Sequence, residues 1–280
     1  MDEIKNIFDT IAKTAQETAQ GRKEHLGADG LLVCDTCGTA TETVVHIFGE
    51  NRKVRCICKC DQERQAAEKA AREREKRLQR IERLRIRGFD KAEMQRWTFE
   101  TDDRTQPQVR KAMQAYVADF DEYKDNGKGL LLFGSVGTGK TFAAACVANA
   151  LINQGVPVLM TNFTRIINRM QGSFDGRQEY LDSFGDFDLL IIDDLAAERQ
   201  TEFANEIVYS VIDARYRAGL PMIITTNIDV QSMMQEQETA RKRIYSRVLE
   251  RCHPIEVKGT DRRVQASLAD FAEMQRRLGL

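Results

Sequence analysis

Residues 130–141 read LLLFGSVGTGKT, a continuous apolar run that breaks into a glycine-rich loop ending in Lys-Thr. From Gly134 through Ser135, Val136, Gly137, Thr138 and Gly139 to Lys140 and Thr141, the phosphate-binding pattern G-x-x-x-x-G-K-[ST] is met at every position. The apolar run before it predicts a buried strand. Ala143, Ala144, Ala145, Val147, Ala148 and Leu151 after it predict a buried helix from about Thr141 to Gln154, closed by Gly155. The pattern needs that strand, loop and helix context. Glycines let successive backbone N–H groups turn inward around a phosphate, and the helix N-terminus adds roughly half a positive charge there. Lys140 is then placed to reach terminal phosphates, and the Thr141 hydroxyl to ligate Mg2+.

Outward from this loop, further apolar runs alternate with helical periodicity: VLMT at 158–161, LLII at 189–192, a helix at about 201–218, and MIITTN at 222–227. Continuous apolar strands separated by helices predict a parallel sheet covered on both faces, an α/β fold with ligands at the carboxyl ends of its strands. LLIIDD puts two carboxylates at one such end. Asp193 is positioned for the Mg2+ shell and Asp194 for orienting or deprotonating an attacking water, although the same pair would suit the cap of a following helix. Asn227, at the tip of MIITTN, is the chosen partner for a γ-phosphate or that water; asparagine is equally at home in a turn before Asp229.

The 280 residues are 42% hydrophobic and 30% charged with 4 prolines, which excludes collagen-like, mucin-like and wholly disordered classes. With 42 basic and 43 acidic residues, total charge offers no argument for nucleic-acid binding. No apolar run is long enough to span a membrane and MDEIKNIFDT is too polar and acidic for a signal peptide, so a cytoplasmic protein without membrane contact is expected.

Of seven cysteines, Cys34, Cys37, Cys56, Cys58 and Cys60 cluster in one short segment. In a reducing compartment they are not a disulfide framework. Cys34-x2-Cys37-Gly38 has the form of a zinc knuckle, and Cys58-x-Cys60 completes a thiolate set after a Thr/Val/Ile-rich stretch that suits a hairpin. Cys56 is the alternate ligand, and His46 is passed over. Four Zn–S bonds would replace a core that so short a segment cannot provide. Cys146 and Cys252, isolated in apolar patterns, read as core. Between 61 and 87 the chain carries 10 basic and 6 acidic residues, a solvated helical linker with a local excess of positive charge. Before the cysteines, Ile4, Ile7, Phe8, Ile11 and Ala15 form an apolar stripe on a helix that Gly21 could end. The expected organisation is an N-terminal helix and zinc-binding domain at 1–60, a charged linker at 61–98 and the nucleotide-binding domain at 99–280.

Taken in order, the phosphate loop, LLIIDDLAAE, IITTN and RIYSRVLERCHPIEVKGTDRR resemble the AAA+ ATPases of the DnaC/DnaI helicase-loader type and their IstB-type transposition-helper relatives, over about 100–265. The resemblance implies a P-loop NTPase sheet of the AAA+ (ASCE) kind, ATP binding and hydrolysis, and self-association around the nucleotide. It also matches Arg247 to the finger arginine that reaches a neighbour's ATP and Arg263 to the sensor arginine near the γ-phosphate, with Arg243 and Arg262 as neighbours in register. The usual acidic pair is Asp-Glu, and Asp193-Asp194 departs from it with a shorter second carboxylate. Few residues follow Arg263, which fits the reduced lid of the loader group. The function implied is an ATP-dependent helicase loader of bacterial or phage replication that binds ATP, single-stranded DNA and the hexameric replicative helicase. An IstB-like transposition helper is one alternative, against which the cysteine element and charged linker argue. A nucleotide-gated DNA-binding adaptor with little turnover is another, left open by Asp194. A metabolic P-loop kinase would need neither Arg247 nor Arg263.

Overall fold

The computed structural model describes residues 23–47, 49–172, 176–196 and 201–279. The expected N-terminal stripe of Ile4, Ile7, Phe8 and Ile11 lies outside them. The chain divides into two compact units at Arg77/Leu78.

The first unit holds two antiparallel hairpins, β1 (Glu24–Leu26) with β2 (Leu32–Cys34) and β3 (Glu42–Ile47) with β4 (Glu50–Arg55). The second hairpin is the one the Thr/Val/Ile-rich stretch predicts. Cys34 ends β2, Cys37 lies in the turn after it, Cys56 and Cys58 follow β4, and Cys60 lies in the first turn of the helix that comes next. A helix, Lys59–Gly88, then runs through the charged segment, and every residue from Gln62 to Arg80 is exposed, as a solvated face requires.

In the second unit Ile81, Leu84, Phe89 and Met94 pack into the core, so residues 78–98 belong to it although the charge pattern assigns them to the linker. Its sheet has five parallel strands, β5 (Gly129–Phe133), β6 (Val158–Asn162), β7 (Leu189–Leu195), β8 (Met222–Thr226) and β9 (Cys252–Glu256), in the order β6-β7-β8-β5-β9. Strand β8 therefore separates the phosphate-loop strand from the strand with the acidic pair. All three send their carboxyl ends to the same edge.

Alternation along β7 shows why these strands read as unbroken apolar runs. Leu190 and Ile192 enter the cluster containing Phe163, Val208 and Val248, whereas Leu189 and Ile191 enter the opposite one with Met113, Leu151 and Ile152. Cys146 and Cys252 are buried, and burial pushes each thiol up to about 12, in keeping with core roles. Arg215, 1% exposed, gives its guanidinium to the carbonyls of Phe187 and Pro221 (both 2.7 Å), Phe184 and Asp188, tying together the segments that enter β7 and β8. Burial draws its pKa down to about 10. Among the described residues no helix is long and apolar enough to cross a membrane.

Candidate functional site

At the carboxyl edge of the sheet, a cavity of about 340 Å³ is lined by Gly137, Gly139, Lys140, Thr141, Asp193, Asp194, Asn227 and Arg262, with Trp97 and Phe142 on its wall. The loop after β5 leads into the helix Lys140–Gln154. Gly137 has φ +77°, and a Cβ there would lie 2.0 Å from Asp261 Oδ1, so the loop needs glycine for both conformation and approach. Lys140, 7% exposed, donates to Gly134 O (2.8 Å), Ser135 O (2.7 Å) and Asn227 Oδ1 (2.8 Å). The cation is thus aimed across the loop at the tip of β8. Asn227, chosen from its place after MIITT, is the residue it meets.

Thr141 Oγ1 donates to Asp193 Oδ1 at 2.8 Å, and Thr225 Oγ1 donates to the same oxygen at 2.7 Å. Thr141 and Asp193 are the pair that could hold a divalent cation beside the loop. Asp194 leaves the regular strand: the β7–β8 register shifts between Ile192 and Leu195, and Asp194 has φ +62°. A non-glycine residue there costs on the order of 1–3 kcal/mol and persists only where its surroundings hold it. Here the Asp194 N–H donates to Thr225 Oγ1 (2.8 Å) and Asn227 Nδ2 donates to Asp194 Oδ1 (3.2 Å). The bulge re-aims the second carboxylate toward the cavity. Thr225, 1% exposed, links both aspartates, a role the sequence reading gave no weight because any small polar residue can end a strand.

The arginines separate. Arg262 begins the C-terminal helix Arg262–Leu278, and its backbone N–H donates to Gly137 O at 3.1 Å. Its guanidinium sits 3.3 Å from Asp103 and donates to Thr105 Oγ1. The Thr105 N–H, then the Thr105 hydroxyl and Arg262, hold the Asp103 carboxyl below its ordinary range against the opposing effect of burial. Arg262, the neighbour in register of Arg263, lines the cavity; the Arg263 side chain lies outside the described residues. Arg247 is not on the cavity wall. It lies on the helix Thr239–Arg251 and pairs with Asp213 at 2.9 Å. Gln106, absent from the sequence reading, donates to Thr138 O at 2.6 Å and braces the loop from outside.

A sequence profile of IstB-like ATP-binding proteins matches residues 63–269. The chain belongs to the IstB-like ATP-binding protein family. It is 28% identical over 181 residues to the replicative helicase loader DnaI of Bacillus subtilis, covering 59% of this chain and 58% of that protein. It is 26% identical over 178 residues to the loader DnaC of Escherichia coli, covering 61% and 71%. An insertion-sequence ATP-binding protein of Sinorhizobium fredii is 36% identical over 121 residues, 42% of this chain and 40% of that one. The chain thus spans well under two thirds of two of these relatives. A crystal structure of DnaI superposes with a TM-score of 0.52 at 26% identity, covering 61% of this chain and 96% of the other. The fold is the P-loop AAA+ architecture that the family resemblance implies.

The family match begins at residue 63, beyond the cysteine cluster. There, one sulfur each from Cys34, Cys37, Cys58 and Cys60 lie within 4.8 Å of one another, with Cys34–Cys60 at 3.6 Å and Cys58–Cys60 at 3.2 Å. Tetrahedral ligation with Zn–S bonds of about 2.3 Å sets sulfurs about 3.8 Å apart, so the set fits zinc. Cys56, the alternate, is outside it and donates its thiol to Ala40 O. Gly38 (φ +68°) turns the knuckle. Backbone N–H groups of Cys37 and Thr36 lower the Cys34 thiol, and the Thr39 hydroxyl lowers Cys37 to about 5, both favouring thiolate. The hydrogen bond from Cys58 and burial raise Cys60 to about 12.

Proposed function

We propose that this chain is an ATP-dependent loader of a replicative helicase, with a zinc-stabilised N-terminal unit and a slow, assembly-dependent ATPase. The observation that carries the proposal is the convergence of Lys140, Thr141, Asp193, Asp194, Asn227 and Arg262 on one cavity at the sheet edge. ATP would supply the transferable γ-phosphoryl group, and Thr141 and Asp193 would hold a Mg2+ ion to neutralise charge on it. Lys140 holds terminal phosphate oxygens while the loop N–H groups, from Gly134 to Thr141, cradle the others. Asp194, fixed by Thr225 and Asn227, orients the attacking water and accepts its proton. Arg262 closes the cavity from the C-terminal helix. Arg247, away from its own chain's cavity, serves the ATP of a second copy, so turnover needs self-association.

Helicase binding and single-strand binding rest on likeness to DnaI and DnaC. The basic excess of the helix Lys59–Gly88 supports a salt-sensitive grip on single-stranded DNA. The test is co-purification of the full chain with a hexameric replicative helicase in the presence of ATP. Capture that is lost on deleting residues 1–60, with nucleotide binding intact, supports loading through the N-terminal part. No capture by the full chain contradicts it. The 36% identity with the insertion-sequence protein favours a second reading, a transposition helper; binding to a transposase with no affinity for the helicase would establish that one instead.

A further inference from the structure

The setting of Arg247 is more elaborate than an exposed basic helix needs. Tyr209, Asp213 and Tyr216 fall at i, i+4 and i+7 on one face of the helix Glu202–Arg217, an aromatic, acidic, aromatic stripe. Arg247 fits into it. Its Nε donates to Asp213 Oδ1 at 2.9 Å, one terminal nitrogen donates to the Tyr209 hydroxyl at 2.9 Å, and the other to Arg243 O at 3.3 Å. The guanidinium carbon lies 4.8 Å from the Tyr209 ring centroid and 5.5 Å from that of Tyr216. Tyr216 is itself fixed by its hydroxyl on Glu250 at 2.8 Å.

Charge neutralisation does not explain this arrangement. The other oxygen of Asp213 already takes Arg217 Nε at 2.8 Å, so this one carboxylate is shared between two guanidiniums. Three of the five guanidinium N–H groups of Arg247 are used, leaving two, and the side chain is still 24% exposed. A guanidinium held in a fixed plane with donors to spare loses less freedom when it binds an anion than a freely rotating one.

We propose that Asp213, with Tyr209, is a positioning residue that sets the plane of Arg247 for the terminal phosphates of a nucleoside triphosphate bound to a second copy of this chain. This rests on the reading of Arg247 as an arginine supplied in trans. Asp213 does not touch the phosphate; it acts through Arg247.

The test compares the full chain with Asp213→Asn, Asp213→Glu, Tyr209→Phe, Arg247→Ala and the double variant Asp213→Asn/Arg247→Ala. Two readouts are used: ATPase activity across protein concentration, and self-association with a non-hydrolysable ATP analogue by sedimentation. Removing the support should lower kcat roughly 10- to 100-fold in Asp213→Asn, the scale of a 1 Å misplacement, and severalfold in Tyr209→Phe, with KM for ATP within about twofold. The concentration for assembly should rise with it, Asp213→Glu should recover part of the loss, and the double variant should be no worse than Arg247→Ala alone. Parental kcat and assembly in both Asp213→Asn and Tyr209→Phe, beside an inactive Arg247→Ala, would overturn the positioning role and leave the trans arginine standing. So would losses that multiply in the double variant. An Arg247→Ala protein with full activity would overturn the trans reading itself and this inference with it. If Asp213→Asn fails to melt cooperatively, Tyr209→Phe, which deletes one hydroxyl, decides alone.

Discussion

Between Lys23 and Arg77 the buried side chains among the described residues are Cys34, Thr41, Cys58 and Asp61, while Leu26, Val44 and Ile57 are exposed. From Leu78 onward the five-stranded sheet buries apolar side chains on both faces. The two units are therefore stabilised by different physics. In the second, burial of large side chains at about 25 cal/mol per Å² does the work, and the site is laid over a finished core. In the first, the described residues bury few side chains, and four cysteine sulfurs converging within 4.8 Å are placed to act as a cross-link through a metal ion. On the proposed reading, metal and fold are one equilibrium in the first unit, whereas ligand and fold are nearly independent in the second.

The largest effect that separates them is metal removal. Structural zinc contributes on the order of 10–16 kcal/mol in small domains, so chelation or Cys34→Ser should abolish hydrogen-exchange protection in the hairpins while the sheet unit keeps its melting temperature and nucleotide affinity. Purified protein should carry about one zinc per chain, and metal analysis showing far less would collapse the contrast. The converse perturbation is Leu131→Ala, a fully buried position in β5. It should cost the sheet unit about 2–5 kcal/mol, read in its thermal or denaturant midpoint, and leave zinc content unchanged. Within the site, Asp194→Ala should cut turnover roughly 100-fold or more while Mg·ATP binding stays within a fewfold of the parent, since the role proposed for this carboxylate is on water and not on the bound phosphates. The smallest effect lies on the linking helix. The Asp61–Arg64 pair, with Arg64 59% exposed, should contribute less than about 1 kcal/mol, so Arg64→Ala should leave helicity by circular dichroism almost unchanged.

How far the sequence alone reached follows the same division. Local patterns carried the phosphate loop, the apolar strands, the charged helix and the choice of Cys34, Cys37, Cys58 and Cys60, because residue type and spacing determine each of them over short range. What local patterns did not carry depends on contacts between distant segments. The bulge that turns Asp194 to φ +62° comes from pairing of β7 with β8, and LLIIDDL reads as an ordinary strand end. That Arg262 faces the cavity depends on where the last helix starts, since one residue rotates a helix by about 100°. That start is set by Asp261 and Arg262 against Gly137, more than a hundred residues away. Trp97 on the cavity wall and Asp213 under Arg247 were invisible for the same reason: neither belongs to a motif, and only folding brings them to their partners.

Trp97 is the single tryptophan of the chain and lines the cavity, which makes the central claim directly measurable. Titration of the intact protein with Mg·ATP, followed by tryptophan fluorescence and by calorimetry, should give a saturable signal with about one site per chain. Lys140→Ala should weaken binding by roughly 100-fold, the scale of removing a buried charge-assisted contact. Equal affinity in the parent and Lys140→Ala, or saturation by Mg·ATP with no response from Trp97 in a folded protein, would place the nucleotide somewhere other than the edge of the sheet.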